Sequence, residues 1–245
     1  MAAGREWIVI TGAAGAIGSA LVRHYLTRDR RVLALDRDVA VLADVAGDFV
    51  ARAVDLTDDT AVTTILDGVL AAADRVALVI NAVGLIWNEP ILALRGGAIA
   101  VHAAASWRRV VEANLTAPFI AASLLAARMA RTGGGAIVNF SSIVSDGNAG
   151  QSAYSAAKAG IEGLTRTMAA ELGPFGIRVN AVALGFIDAP TTRAALPEAQ
   201  AKMLQSRTPL GRLGRINEVI GAIEYLAENS FTTGAVLRVD GGLRL

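Results

Sequence analysis

With 245 residues, a formal charge of +1, no cysteine and two histidines, the chain is long enough to bury a substantial core, and several classes of protein are excluded at the outset. Nothing in it supplies a disulfide framework, a thiolate or histidine zinc site, or the basic footprint of a nucleic-acid binder. Its hydrophobic fraction of 53% and mean hydropathy of +0.47 are high. The most apolar stretch, Leu115 to Ala130, holds Pro118 and Arg128 and falls short of the ~20 apolar residues needed to span a bilayer, so no membrane partner is expected. The N-terminus lacks a basic start followed by an apolar core and a cleavage site, which leads to the expectation of a cytoplasmic protein.

Along the chain, apolar runs alternate with helical periods. The first run, Trp7 to Thr11 (WIVIT), stops at glycine, and the amphipathic stretch Ile17 to Thr27 follows at once. Strand, tight glycine turn and helix make a dinucleotide-binding start. In the turn TGAAGAIG, Gly12 and Gly15 let the backbone bend sharply and approach a ligand, while Gly18 leaves room for the helix against the sheet. The helix N-terminus then offers free amides and a positive dipole end to a pyrophosphate. A second run, Arg31 to Leu35, ends in Asp36. A carboxylate about 20 residues after the turn accepts hydrogen bonds from an adenosine ribose and repels a 2′-phosphate, so Asp36 argues for NAD over NADP. Arg37 beside it is a group able to bind that phosphate.

Further apolar runs near 49 to 54, 75 to 80, 136 to 140, 177 to 183 and 235 to 239 bring the predicted strands to seven. The alternation predicts a parallel α/β sheet with helices on both faces, and no linker or repeat marks a second domain. Two long connections, 84–106 and 185–215, are expected to shape the substrate pocket. Trp87 lies in the first and is a candidate ligand platform, although a packing role is commoner for Trp87 and Trp107. Between the fifth and sixth strands, the segment YSAAK places Tyr154 and Lys158 at i and i+4, on one face of a helix. A fixed cation beside a phenol favours its ionised form and brings its pKa toward the range useful for proton transfer.

These features together resemble the short-chain dehydrogenase/reductase family, in its compact single-domain form, over essentially the whole chain. Carrying the resemblance are the glycine turn, Asp55 with Leu56 after the third strand, NAVG at Asn81 to Gly84, Asn114, IVNFSS at Ile137 to Ser142, YSAAK, and TGAVLRVDGG from Thr233 to Gly242. The resemblance implies a Rossmann-type doubly wound sheet in one domain, 1–245, assembled as a homodimer or homotetramer. It also implies Tyr154 as proton donor or acceptor, Lys158 as the group that holds the nicotinamide ribose and lowers the Tyr154 pKa, and Ser142 as the group that orients the substrate carbonyl. Asn114 would hold a water connecting Lys158 to solvent. Gly12, Gly15, Ala16, Ile17 and Gly18 would cradle the pyrophosphate, Asp55 and Leu56 would contact adenine, and Asn81, Ala82 and Gly84 would pass beside the cofactor. Ile187 would contact the carboxamide through its backbone.

Five positions depart from that pattern. Ala16 stands where glycine is usual, which is tolerable on helical backbone. NAVG replaces NNAG at Ala82, Leu184 replaces the proline before Gly185, and Ala189 stands where a threonine anchors the carboxamide, with Thr191 and Thr192 as substitutes. The loop from Ser142 to Tyr154 is one residue short, which leaves Ser141 as the alternative serine. The expected activity is NAD(H)-dependent interconversion of a secondary alcohol and a ketone. An NADPH-dependent 3-oxoacyl-ACP or acyl-CoA reductase is the nearest alternative, so an acyl thioester is a possible substrate. A cofactor-binding sensor without turnover is an alternative of another class, and a sugar-nucleotide epimerase is disfavoured because little chain follows the seventh strand.

Overall fold

A computed structural model describes residues 6–195 and 197–244. Seven parallel strands form one sheet: β1 (Trp7–Thr11), β2 (Arg31–Asp36), β3 (Phe49–Ala53), β4 (Val76–Asn81), β7 (Gly135–Ser142), β8 (Ile177–Leu184) and β9 (Val236–Val239). Their spatial order is β3-β2-β1-β4-β7-β8-β9. The order reverses between β1 and β4, and a crevice opens beyond the carboxyl ends of the strands at such a switch point. The predicted strands are all present, with ends shifted by one or two residues. The largest change is that β7 runs on to include Ser141 and Ser142.

Each strand is apolar on both faces because helices cover both. On one side Val9, Leu35, Val79, Ile137 and Val179 pack against α2 (Asp59–Val69), α4 (Ala117–Met129) and α5 (Ser152–Leu172). On the other side Ile8, Ile10, Leu78, Ile80 and Val138 meet α1 (Ala16–Leu26) and α8 (Ile216–Glu228). A buried polar chain crosses the centre of the sheet. Thr11 Oγ1 donates to Asn81 Oδ1 at 3.1 Å, Asn81 Nδ2 to Asn139 Oδ1 at 2.9 Å, and Asn139 Nδ2 to Thr165 Oγ1 at 3.0 Å. Asn139 is one of the two inner members, and Asn139→Leu would strand partners on both sides. We expect a loss of about 2–4 kcal/mol, read as a fall in Tm of about 5–10 °C by calorimetry.

Three expectations change here. Connection 84–106 is a β-hairpin, β5 (Leu92–Arg95) paired antiparallel with β6 (Ala98–Val101), running into α3 (Ala104–Val111). Gly96 and Gly97 form its turn at φ 57° and 82°, values that L side chains rarely adopt. Connection 185–215 is likewise structured, with α6 (Pro190–Ala195) and α7 (Glu198–Arg207). The helical run Ala104–Met129 is continuous over 26 residues, long and apolar enough by length and composition to span a bilayer, contrary to the reading of Leu115 to Ala130. Its Ala121, Ala122, Leu125, Ala126 and Met129 face the sheet core.

Candidate active site

The glycine turn joins β1 to α1 at the switch point. Gly12 sits at φ 66°, and a Cβ there would lie 2.5 Å from the Val83 amide, so this position takes glycine for both conformation and space. A Cβ on Gly18 would run into the Gly12 carbonyl. Gly15 caps α1 in an extended conformation and Ala16 is the first helical residue, where a methyl group fits. Ile17 packs onto the sheet core, and no acidic residue occupies the first turn of α1, so the positive end of the helix is unopposed.

Asp36 ends β2 with both oxygens engaged, Oδ2 by the Ala14 amide at 2.9 Å and Oδ1 by the Arg37 amide at 2.7 Å. The Arg37 guanidinium turns to Asp55, donating to Oδ1 at 3.1 Å and Oδ2 at 2.9 Å. Hydrogen bonds from the backbone and hydroxyl of Thr57, aided by Arg37, hold the Asp55 carboxyl below its ordinary range. Asp55 therefore fixes the arginine. The Leu56 side chain is buried in the core with Val62 and Leu66, so any contact of Leu56 with adenine falls to its backbone. The Asn81 side chain belongs to the polar chain above, and the Ala82 amide donates to Thr11 O at 3.1 Å, tying β4 to β1.

Beyond β7 the second cluster assembles. Tyr154 and Lys158 lie on α5, one turn apart, with the Ser142 hydroxyl near enough to the phenol to act on its proton affinity. Ser142 Oγ also lies 3.4 Å from both the Leu184 carbonyl and the Val144 amide. Ser141 points the other way, donating to Glu162 Oε1 at 2.7 Å, so the geometry settles which serine meets the tyrosine. Lys158 is buried, its Nζ donating to Phe140 O at 2.8 Å and lying 5.6 Å from the Tyr154 ring centre.

The phenol is not lowered as the i, i+4 pairing leads one to expect. Burial pushes Tyr154 up to about 12, with the Ser142 hydrogen bond acting in the opposite direction. Burial brings Lys158 down to about 8. Desolvation outweighs the attraction between the two groups. In the unfolded chain the lysine keeps its proton up to about 10.5, whereas in the folded protein it gives it up near 8. Between those values the unfolded state binds more protons, so the Lys158 contribution to stability rises with pH there, and the full burial penalty applies below pH 8. Denaturant titrations at the two ends of that window should show Lys158→Met losing this rise, and a rise of wild-type size in the variant would refute the assignment.

Asn114 occupies a π-helical turn, Glu112–Thr116, between α3 and α4. Single wide turns of this kind occur often at functional sites. Its Nδ2 donates to Val110 O at 2.9 Å and Leu85 O at 2.8 Å, and its Oδ1 accepts from Leu85 N at 3.1 Å. Both N–H groups are thus engaged in clamping the chain after β4, leaving Oδ1 as the atom with capacity to spare. A Cβ on Gly84 would come within 3.1 Å of that Oδ1 and 3.7 Å of Lys158 Nζ, so Gly84 keeps the space between them.

Over the tyrosine lies an apolar cover of Ile143, Val144, Phe186, Leu204, Leu213 and Leu243, contributed largely by connection 185–215. Ile187 is buried and pairs with Gly214 in an isolated bridge, with Asp188 N donating to Gly214 O at 2.7 Å. Ala189 is buried; the Thr191 side chain lies outside the described residues. Trp87 is exposed, its Nε1 donating to Glu89 Oε2 at 2.8 Å and the Arg109 guanidinium lying 5.6 Å from its ring centre. Two parts of the site had no clear signal in the sequence: the Phe140 carbonyl, a backbone group, and Glu162, whose only hint is its place one turn beyond Lys158 on α5.

A doubly wound sheet with an anion-accepting glycine turn at its switch point, and a Ser–Tyr–Lys cluster next to it, defines a nicotinamide-dependent oxidoreductase. The family model described as enoyl-(acyl carrier protein) reductase matches residues 12–244. The chain is 39% identical to cis-4-hydroxycyclohexanecarboxylate dehydrogenase of Sinomonas cyclohexanicum, over 96% of this chain and 94% of that protein. Among solved structures, an oxidoreductase of the short-chain dehydrogenase/reductase family from Burkholderia thailandensis superposes with TM-score 0.86 at 33% identity, covering 98% of this chain and 93% of the other. A 3-oxoacyl-[acyl-carrier protein] reductase from Brucella melitensis with bound NAD gives TM-score 0.82 at 32% identity, covering 99% and 92%. This chain belongs to the short-chain dehydrogenase/reductase family and is an oxidoreductase.

Proposed function

We propose that the protein is an NAD(H)-dependent oxidoreductase interconverting a secondary alcohol and a ketone, with Tyr154 as the acid/base. The observation that carries this reading is the convergence of Ser142, at the end of β7, on Tyr154 near the start of α5, with buried Lys158 one turn behind. A carbonyl oxygen placed between the two hydroxyls receives two donors as charge develops on it, and Tyr154 passes or takes the proton. The cofactor, when bound, supplies the hydride. Lys158 would hold its nicotinamide ribose, and the amides at the start of α1 its pyrophosphate. Asp36 would accept from the adenosine ribose hydroxyls.

Preference for NAD over NADP rests on two charges. Asp36 would stand where a 2′-phosphate needs a cation, and Arg37, the cation nearest in sequence, is turned to Asp55, both of whose oxygens accept from its Nη2. An acyl thioester substrate is the second reading. It is favoured by the apolar cover over Tyr154 and by the 3-oxoacyl reductase among the relatives, whereas the cis-4-hydroxycyclohexanecarboxylate dehydrogenase favours a cyclic secondary alcohol. A turnover-free sensor is disfavoured by the intact cluster of Asn114, Ser142, Tyr154 and Lys158. The protein would work in the cytoplasm as a homodimer or homotetramer. Fluorescence titration with NADH and NADPH, followed by a secondary-alcohol screen with NAD, tests the reading. Tighter NADH binding supports it, tighter NADPH binding puts the acyl reductase first, and binding of neither overturns both.

A further inference from the structure

The first turn of α3 is held from outside the helix. Its N-cap, Ala103, makes no side-chain cap bond, and the turn carries no acidic residue. Glu89, fourteen residues upstream, supplies what is missing: Oε1 accepts from the Ala103 amide at 2.8 Å, the bond that a capping-box glutamate makes from within a helix. Oε2 accepts from Trp87 Nε1 at 2.8 Å. Hydrogen bonding from Trp87, then from the Ala103 amide and the Ser106 hydroxyl, holds the Glu89 carboxyl well below the usual carboxylate range. An ionised carboxylate at this point also suits the positive end of α3.

The main chain of the same residue reaches α5. The Glu89 amide donates to Gly150 O at 2.8 Å, and Glu89 pairs with Gln151 in an isolated parallel bridge. Asn88 Oδ1 accepts from Gln151 Nε2 at 2.7 Å, and the Glu89 carbonyl accepts from His102 Nδ1 at 2.8 Å, a nitrogen 3.5 Å from Ser152 Oγ. Gln151 is the N-cap of α5 and makes no cap bond with its own side chain. The loop before it turns at Gly147 and Gly150, φ 105° and 82°, both beside open space, so packing at those two turns does not fix its path. Its end is tied instead to residues 88 and 89.

Glu89 thus bonds to two helix starts at once. α3 runs into the π-helical turn that holds Asn114, and Tyr154 is the third residue of α5. We propose that Glu89 is a positioning residue, which sets the first turns of α3 and α5 in register and through them the places of Asn114 and Tyr154. The inference rests on the reading of Tyr154 as the acid/base. A carboxylate suits this position because it offers an oxygen to each of two donors, whereas an amide has one oxygen and would turn an NH2 group toward the other donor. A misplacement on the order of 1 Å, caused far from the chemistry, can cost about 10²-fold in rate, so register set at Glu89 is felt at the site.

Glu89→Gln keeps the size of the side chain and strands one donor. In that variant kcat, measured with NAD and the alcohol that the screen selects, should fall by about 10-fold or more while the NADH Kd stays at the wild-type value. Hydrogen exchange followed by mass spectrometry should quicken in two places, at the Trp107 and Ser155 amides, which close the first turns of α3 and α5 by donating to Ala103 O at 3.1 Å and Gln151 O at 2.7 Å. Removing the stranded donor should repair the damage. Trp87→Phe/Glu89→Gln should return kcat to within about threefold of wild type, because the amide oxygen is then free for the Ala103 amide. A lowered Tm with kcat unchanged in Glu89→Gln would leave Glu89 a structural role alone and overturn the proposal. So would exchange that quickens at Trp107 but not at Ser155, or a double variant no more active than the single one. Failure of the catalytic reading shows separately, as near-normal turnover in Tyr154→Phe, and the exchange at Ser155 still decides the register.

Discussion

Replacing Tyr154 by phenylalanine should lower kcat by at least ~10²-fold, and by as much as ~10⁴-fold, while NADH still binds. The substitution removes one oxygen from a buried site and leaves the ring among Ile143, Val144, Phe186 and Leu204. Ser142 keeps its neighbours at the Leu184 carbonyl and the Val144 amide, so the site does not collapse around the missing hydroxyl. What disappears is the group proposed to exchange a proton with the substrate oxygen, and the loss should therefore fall on kcat. Stopped-flow hydride transfer together with a cofactor titration separates the two quantities. Near-normal turnover would remove Tyr154 from the mechanism, and loss of NADH binding would mark it as a cofactor ligand instead. Burial bears on how the phenol works. With Tyr154 pushed up to about 12 and Lys158 down to about 8, the free protein at neutral pH holds a neutral phenol beside a lysine that is still mostly protonated. That is the form that donates a proton in the reductive direction.

Asp36→Ala should shift the kcat/KM ratio toward NADP(H) by about 10- to 10²-fold. The wild-type carboxylate would accept from the ribose and repel a 2′-phosphate, and alanine does neither. Arg37 limits the size of the shift, because its Nη2 donates to both oxygens of Asp55. The double variant Asp36→Ala/Asp55→Ala frees that arginine and should move the ratio beyond the single variant. If neither variant changes the ratio of the two specificity constants, cofactor selection lies elsewhere in the pocket.

Particular residues show why some of this was legible in the sequence. The glycine turn could be read because the chemistry is local: Gly12 needs a positive φ and space against Val83, and only one residue type gives both. Asp36 follows from its distance along the chain, and Tyr154 with Lys158 from helix periodicity, each fixed by backbone geometry that spacing encodes. The sheet was readable for the same reason, since strands buried on both faces appear as unbroken apolar runs.

Properties set by partners distant in sequence were not legible. That Ser141 is not free for the tyrosine follows from its bond to Glu162, a partner that only the packing of α5 against β7 brings to it. Arg37 could be seen as a phosphate ligand until the fold brought Asp55 to it across the strand ends. The tyrosine and lysine are adjacent by spacing alone, yet their proton affinities depend on how much water the apolar cover excludes, and that cover comes from connection 185–215 and the chain end. Periodicity could not assign the hairpin within 84–106, because a short aliphatic segment with no buried face lacks the contrast that marks a strand. The sequence by itself determined the sheet, the glycine turn and the spacing that sets Tyr154 and Lys158 on one helix face, because these depend on local backbone geometry. Only the tertiary structure decided the serine, the tether on Arg37 and the proton affinities, because each depends on burial and on charges brought together from distant parts of the chain.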